Sequence, residues 1–166
     1  MKQLLLIRHA KSSWSNPGLE DIDRPLGERG KIDAPFMAKY CESLGLYIDQ
    51  LISSPAKRAY KTAKKFHKLH ATSKVIIKET DLYFGDMEDW LHIINELEEN
   101  VQLPAFFSHN PTITYFANAF QGSTTDNVPT CGIVRLESSV SKWSELHYNN
   151  TNVGAFYFPK EIRAKE

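Results

Sequence analysis

Two cysteines in 166 residues, Cys41 and Cys131, are too few for a disulfide framework and match no metal-binding spacing. They read as small buried hydrophobes of a protein kept in a reducing compartment. Neither sign of charge is in excess, because lysine plus arginine and aspartate plus glutamate number 20 each. That balance excludes an acidic tail and the overall basic signature of a nucleic-acid binder, while leaving room for a locally positive pocket. Long apolar runs are missing too. Only Leu4 to Ile7 precede Arg8 without interruption, too few for a signal-peptide core, and no later run approaches the ~18 residues of a membrane helix. No repeat, low-complexity tract or linker divides the chain. The expectation is one cytoplasmic domain, residues 1–166, long enough to bury a full core, with no nucleic-acid or membrane partner.

What is present is an alternation of apolar strands and amphipathic helices. Leu4-Leu5-Leu6-Ile7 suits a strand buried on both faces, as in a parallel sheet. A polar, turn-rich stretch from Lys11 to Gly27 follows, with Trp14 as its one large aromatic; so long a stretch without periodicity is often functional. Ile32, Phe36, Tyr40 and Leu44 then recur every four residues. Pro35 fits that helix if Asp33 is the N-cap and the regular turns begin at Ala34; otherwise a kink is expected. Gly45 ends it.

Leu51-Ile52-Ser53 reads as a second strand running into Ser54-Pro55, an N-cap and first position for a helix faced by Ala59, Ala63 and Phe66. Val75 to Ile77 is a third strand, and Met87 to Leu97 carries a helical stripe. Pro104 to Ser108 is a fourth strand. Asn110 and Pro111 then start a helix with Ile113, Phe116, Ala117 and Phe120 inward. Residues 132–136 and 154–158 close the chain as strands, with a further strand expected from Trp143 to Tyr148. The pattern predicts an α/β three-layer sandwich with a mostly parallel central sheet and one antiparallel edge.

Three strand ends carry the chemistry. The first delivers Arg8 and His9, the second Arg58 in the first turn of a helix, and the fourth His109 just before another helix. Ligands of parallel sheets bind beyond the carboxyl ends of the strands, so these side chains converge on one edge. Helix N-termini favour anions, and arginine matches phosphate bidentately at any relevant pH. Singly, each junction has a bland explanation: a solvated strand end, a good cap, a structural histidine. Together they point to a phosphate site, since structure alone needs none of them to be cationic. His67, His70, His92 and His147 are expected to be solvated or partly packed, with no evident third metal ligand for the first pair.

The motifs Arg8-His9-Ala10-Lys11-Ser12, Asp23-Arg24-Pro25-Leu26, Ser53-Ser54-Pro55-Ala56-Lys57-Arg58-Ala59 and Ser108-His109-Asn110-Pro111 resemble the histidine phosphatase superfamily (phosphoglycerate mutase-like). Arg-His-Ala-Lys and Arg-Pro-Leu are similar to its short, SixA-type phosphohistidine phosphatase branch. Ala10 and Ser108 stand where glycine is common in the wider superfamily, at positions that contribute mainly backbone.

The resemblance implies a phosphoglycerate mutase-like fold and a phosphatase that needs neither metal nor cofactor. It makes His9 the transiently phosphorylated nucleophile, with Arg8, Arg58 and His109 around the phosphoryl group; Arg24 is a candidate for a further phosphate contact or for a structural ion pair with a neighbouring carboxylate. For the proton donor the candidates are Asp21, Asp23, Glu79 and Asp81, with Asp23 first. Phosphohistidine on a protein is the leading substrate. An imidazole leaving group with a pKa near ~6.5 departs more readily than an alkoxide and tolerates a weakly defined acid. A small phosphorylated metabolite is the alternative substrate, and a non-catalytic phospho-binding module the alternative role. Trp14 and Tyr83 are candidates either for the pocket mouth or for partial packing in the core.

Overall fold

The computed structural model describes residues 1–70 and 75–166. Its seven strands are β1 (Lys2–Arg8), β2 (Gln50–Ser53), β3 (Ile76–Lys78), β4 (Pro104–Ser108), β5 (Gln121–Gly122), β6 (Ile133–Ser138) and β7 (Thr151–Tyr157), ordered β3-β2-β4-β1-β6-β7-β5 in one sheet. β3, β2, β4 and β1 pair in parallel. Antiparallel pairing is confined to the other side, where β6 runs against both β1 and β7. This is the sandwich expected from the alternation of elements.

Alternation along β1 builds both cores, because successive side chains of a strand face opposite ways. Leu5 and Ile7 pack with Leu51, Ala105 and Phe107 beneath α1 (Glu28–Ser43) and α2 (Lys57–Leu69), which contribute Met37, Ala38, Ala63 and Phe66. Leu4 and Leu6 pack with Ile52, Phe106 and Val134 on the other face. There they meet Leu82 of α3 (Asp81–Phe84), Trp90 and Ile94 of α4 (Met87–Asn95), and Ile113 and Phe116 of α5 (Thr112–Ala119). Each fully buried side chain of this size contributes about 1.5–3 kcal/mol. Cys41 and Cys131 are both buried free thiols.

Several elements depart from the expectations. α1 begins at Glu28 and runs through Pro35, so Asp33 is an interior residue and not a cap. The Asp33 carboxylate, 1% exposed, is instead held by ion pairs, with the exposed Arg29 one turn earlier and with Arg163 of the closing helix α6 (Pro159–Arg163) at 2.6 Å. Gly45, at φ 71°, ends α1 in the left-handed conformation. α2 starts two residues later than expected, with Ala56 and not Ser54 as its flanking residue. β3 is shifted by one residue, to Ile76–Lys78. Trp143 to Tyr148 forms no strand: two 3-10 turns lie there, around a buried Trp143 whose indole donates to the Val101 carbonyl.

The loop from His9 to Gly27 is tied to α1. Gly27 N–H donates to the Lys11 carbonyl at 2.8 Å, Ser13 N–H to the Pro25 carbonyl at 2.8 Å, and Ser12 bridges Leu26. Gly30 is required for this approach, since a Cβ there would overlap the Lys11 carbonyl. The long polar loop is thus folded back on itself beside the end of β1.

Candidate active site

Register brings the strand ends level. Arg8 lies opposite Ser108, and Ser53 opposite Phe107, so the residues that follow β1, β2 and β4 emerge on one edge of the sheet. Arg8, His9, Arg58 and His109 line a cavity of about 400 Å³ there, together with Arg24, Trp14 and Asp21. Asp23, expected first as the proton donor, does not line this cavity: its side chain is exposed on the turn Asp21–Asp23. Glu79 and Asp81 also lie elsewhere, on a separate depression beside Ile77 and His92.

His9 is buried at 6% exposure and its tautomer follows from its partners. Nδ1 lies 2.8 Å from the Ala10 carbonyl, which can only accept, so Nδ1 carries the proton. Nε2 keeps its lone pair and accepts from Arg58 Nε at 3.3 Å. Thr62 secures this arrangement. Its hydroxyl accepts from Ala10 N–H at 3.0 Å and donates to the Arg58 carbonyl at 2.7 Å, linking the loop after β1 to the first turn of α2. Burial pushes the His9 pKa down to about 3; the Ala10 carbonyl acts in the opposite sense, while the charges of Arg58, Arg8 and Arg24 reinforce the fall.

His109 stands with its ring centroid 5.1 Å from that of His9. Its Nε2 hydrogen-bonds the Ser54 hydroxyl at 2.7 Å, and its buried Nδ1 has no hydrogen-bond partner. Burial, then the neighbouring His9 and Arg58, push its pKa down to about 2. The Ser54 hydroxyl also accepts from Ala56 N–H at 3.1 Å, so the serine expected as a helix cap is turned toward the site. Arg8 donates through Nη1 to the Val128 carbonyl at 2.9 Å, and its Nε is buried without a partner. Asn110 donates to the same carbonyl, joining the loops that border the cavity.

Asp21 is the carboxylate of the site. Arg58 grips it twice, through its carbonyl at 2.7 Å and its Oδ2 at 2.9 Å. Tyr83 donates to Oδ2 at 2.7 Å, and Arg24 donates to Oδ1 at 3.1 Å. Partial burial would raise its pKa, but the hydrogen bonds from Tyr83 and Arg58 and the charge of Arg58 outweigh it and hold the group at about 2. Arg24 is buried, bonds the Ser12 hydroxyl at 2.8 Å, and lies 3.5 Å from the centre of the exposed Trp14 ring. Tyr83 meets Asp21 and packs edge-on against His109 at 5.3 Å. Ser54 and Thr62 carried no sequence signal for these contacts beyond their positions flanking Arg58.

His70 is buried, with Nε2 3.1 Å from the Ala38 carbonyl, more enclosed than expected for the four remaining histidines. Among the described residues no group of three or more histidine, cysteine, aspartate or glutamate side chains could hold a metal ion. Nor, among them, is any helix long and apolar enough to cross a membrane.

Residues 4–105 match the family model of the histidine phosphatase superfamily (branch 1). Phosphoserine phosphatase 1 of Hydrogenobacter thermophilus is 35% identical over 98 residues, 58% of this chain and 44% of that protein. The fold superposes on the Agrobacterium tumefaciens SixA structure, assigned as a phosphohistidine phosphatase, with a TM-score of 0.78 and 25% identity over 94% of this chain and 97% of that one. The protein histidine phosphatase SixA bound to tungstate gives a TM-score of 0.83 at 21% identity, covering 96% of this chain and 99% of that one.

Proposed function

The chain belongs to the histidine phosphatase superfamily and is a phosphatase, and on that premise we propose that it removes the phosphoryl group from phosphohistidine on proteins through a phosphoryl-His9 intermediate. The first step is an exchange of one nitrogen–phosphorus bond for another. The lone pair on His9 Nε2 attacks phosphorus, and the bond to the substrate imidazole breaks with its electron pair on the departing nitrogen. A substrate ring protonated on its other nitrogen leaves as neutral imidazole and needs no external acid. The His9 ring gains the positive charge, which the Nδ1–H bond to the Ala10 carbonyl stabilises. Arg8 and Arg58 offset the phosphoryl charge throughout, and His109, with its Nε2 accepting from the Ser54 hydroxyl, keeps Nδ1–H as a further donor. Water then attacks phosphorus, the bond to Nε2 breaks with its electron pair returning to the ring, and both water protons stay on the product, which departs as dihydrogen phosphate.

The observation that carries this substrate class is the state of Asp21. Tyr83, Arg58 and Arg24 hold the carboxylate of the cavity at about 2, below the ordinary 3.8, so it is further than a free aspartate from carrying a proton for an alkoxide leaving group. An imidazole leaving group removes the need for one. A phosphomonoester of a small molecule is the second reading, favoured by the likeness to phosphoserine phosphatase 1.

The test compares a phosphohistidine peptide, phosphoserine and para-nitrophenyl phosphate as substrates for wild type and His9→Ala. Wild type is expected to favour phosphohistidine in kcat/KM, and the variant to lose turnover of all three. A preference for phosphoserine would overturn the substrate class, and turnover retained by His9→Ala would overturn the nucleophile.

A further inference from the structure

The charges of this neutral chain are segregated. Between Asp49 and Glu79 it has eight lysines and arginines and no carboxylate; between Lys78 and Arg135 it has nine carboxylates and neither lysine nor arginine. α2 lies in the basic stretch. Its exposed residues are Lys57, Lys61, Lys64, Lys65 and Lys68, while the rest of the helix is buried or half-buried. The spacing of four, three, one and three residues puts all five on one helical face. No carboxylate among the described residues pairs with any of them.

A merely solvated helix face does not need this pattern. α1 exposes Glu28, Arg29, Lys31, Lys39 and Glu42, a mixture of signs. On α2, Lys57–Lys61, Lys61–Lys65 and Lys64–Lys68 are like-charge neighbours one turn apart, which destabilise a helix, and Lys57 opposes the helix dipole at its N-terminus. The stripe also starts next to a residue that lines the cavity. Lys57 adjoins Arg58, whose guanidinium reaches His9 Nε2, and from there the lysines run about 16 Å along the helix.

We propose that the lysine face of α2 is a docking surface for an acidic segment of the phosphoprotein substrate, laid along α2 so that its phosphohistidine enters the cavity near Lys57. This rests on the phosphohistidine reading of the site. Charge complementarity selects the partner, and continuity with the cavity selects a substrate over an unrelated ligand. A second copy fits less well. Its acidic flank around α3 and α4 would meet α2 head to tail, a contact that does not close on itself.

The probes are a helical peptide with glutamates repeated at the spacing of the lysines, its glutamine counterpart, and the phosphohistidine form of each. Binding of the unphosphorylated peptides is measured by fluorescence anisotropy, apart from turnover. Wild type is expected to bind the glutamate peptide about tenfold or more tightly than the glutamine one at ~20 mM salt, with the difference lost near ~0.5 M. Lys61→Glu/Lys65→Glu/Lys68→Glu is expected to abolish that preference, and Lys61→Gln/Lys65→Gln/Lys68→Gln to reduce it. Hydrolysis of para-nitrophenyl phosphate by both variants reports that they are folded.

Equal binding of the two peptides by wild type, or an unchanged preference in the charge-reversed variant, overturns the proposal. So does tighter binding of duplex DNA or phosphatidylserine vesicles than of the glutamate peptide, or salt-sensitive self-association that the reversal removes. If the glutamate peptide binds as expected but neither phosphohistidine form is hydrolysed, while para-nitrophenyl phosphate is, the phosphohistidine reading fails and the acidic docking face stands.

Discussion

Lowering the pH from about 7.5 to about 5 is expected to destabilise the fold by about 4 kcal/mol through two side chains, His9 and His109. Each has an ordinary pKa of 6.5 in the unfolded chain, and the fold depresses them to about 3 and about 2. The unfolded state therefore binds protons below pH 6.5 that the folded state refuses. The stabilisation from keeping each ring neutral is fully present above 6.5, and falls as pH drops toward the folded value. At pH 5 that loss is about 2 kcal/mol per histidine, at 1.36 kcal/mol per pH unit below 6.5. Both rings stay uncharged in the fold across this window, so their mutual repulsion does not enter. Asp21, held at about 2 from an ordinary 3.8, is ionised in both states at pH 5 and adds almost nothing. Urea unfolding followed by tryptophan fluorescence at the two pH values measures the loss. His9→Gln is expected to remove about half of it and His9→Gln/His109→Gln most of it. A wild-type loss below about 1 kcal/mol, or an equal loss in the double variant, would refute the reasoning. The same depression keeps a lone pair on His9 Nε2 well below neutral pH, so His9 contributes no acid limb to kcat/KM near pH 6.5.

Two substitutions probe the groups around His9. Thr62→Val keeps the shape but leaves the buried Ala10 N–H without its acceptor; a loss of about 1–3 kcal/mol in urea unfolding and a lower kcat are expected. Asp21→Asn frees Arg58 and Arg24 from a half-exposed carboxylate. Competitive inhibition by inorganic phosphate should tighten by about 1.4- to fivefold, matching the ~0.2–1 kcal/mol of an exposed ion pair. Phosphohistidine turnover should change by less than about threefold on the reasoning that no acid is required. A hundredfold loss would instead make Asp21 the proton donor.

The parts of the fold legible in the sequence are those set by local rules. β1 and β4 are buried on both faces, so their apolar runs could be read directly. Arg8, His9, Arg58 and His109 sit where strands end, and parallel pairing then brings them to one edge. Asp33 has the composition of a cap before Pro35, but its partner is tertiary: inside α1 it meets Arg163 from the far end of the chain. Trp143 misled because a buried aromatic between turns has the composition of a strand. Ser54 has the sequence of a cap, and only the arrival of His109 from β4 turns its hydroxyl to another use.

The choice between Asp21 and Asp23 shows why the chemistry was harder to read than the fold. Both carboxylates lie in one 3-10 turn, where successive side chains point about 120° apart. Two residues of separation send one toward Arg58 and leave the other in solvent. Nothing in the local sequence favours Asp21, and its arginine partners come from α2 and from the residue closing the turn. Yet its ionisation bears directly on the leaving group that the cavity can serve. The lysine face of α2 presents the opposite case. Its spacing is plain in the sequence, but as a helical stripe it has no meaning until the first turn of α2 is seen to reach His9 through Arg58. A periodicity then becomes a direction, running from beside His9 out along the surface that, on the proposed reading, a protein substrate would approach.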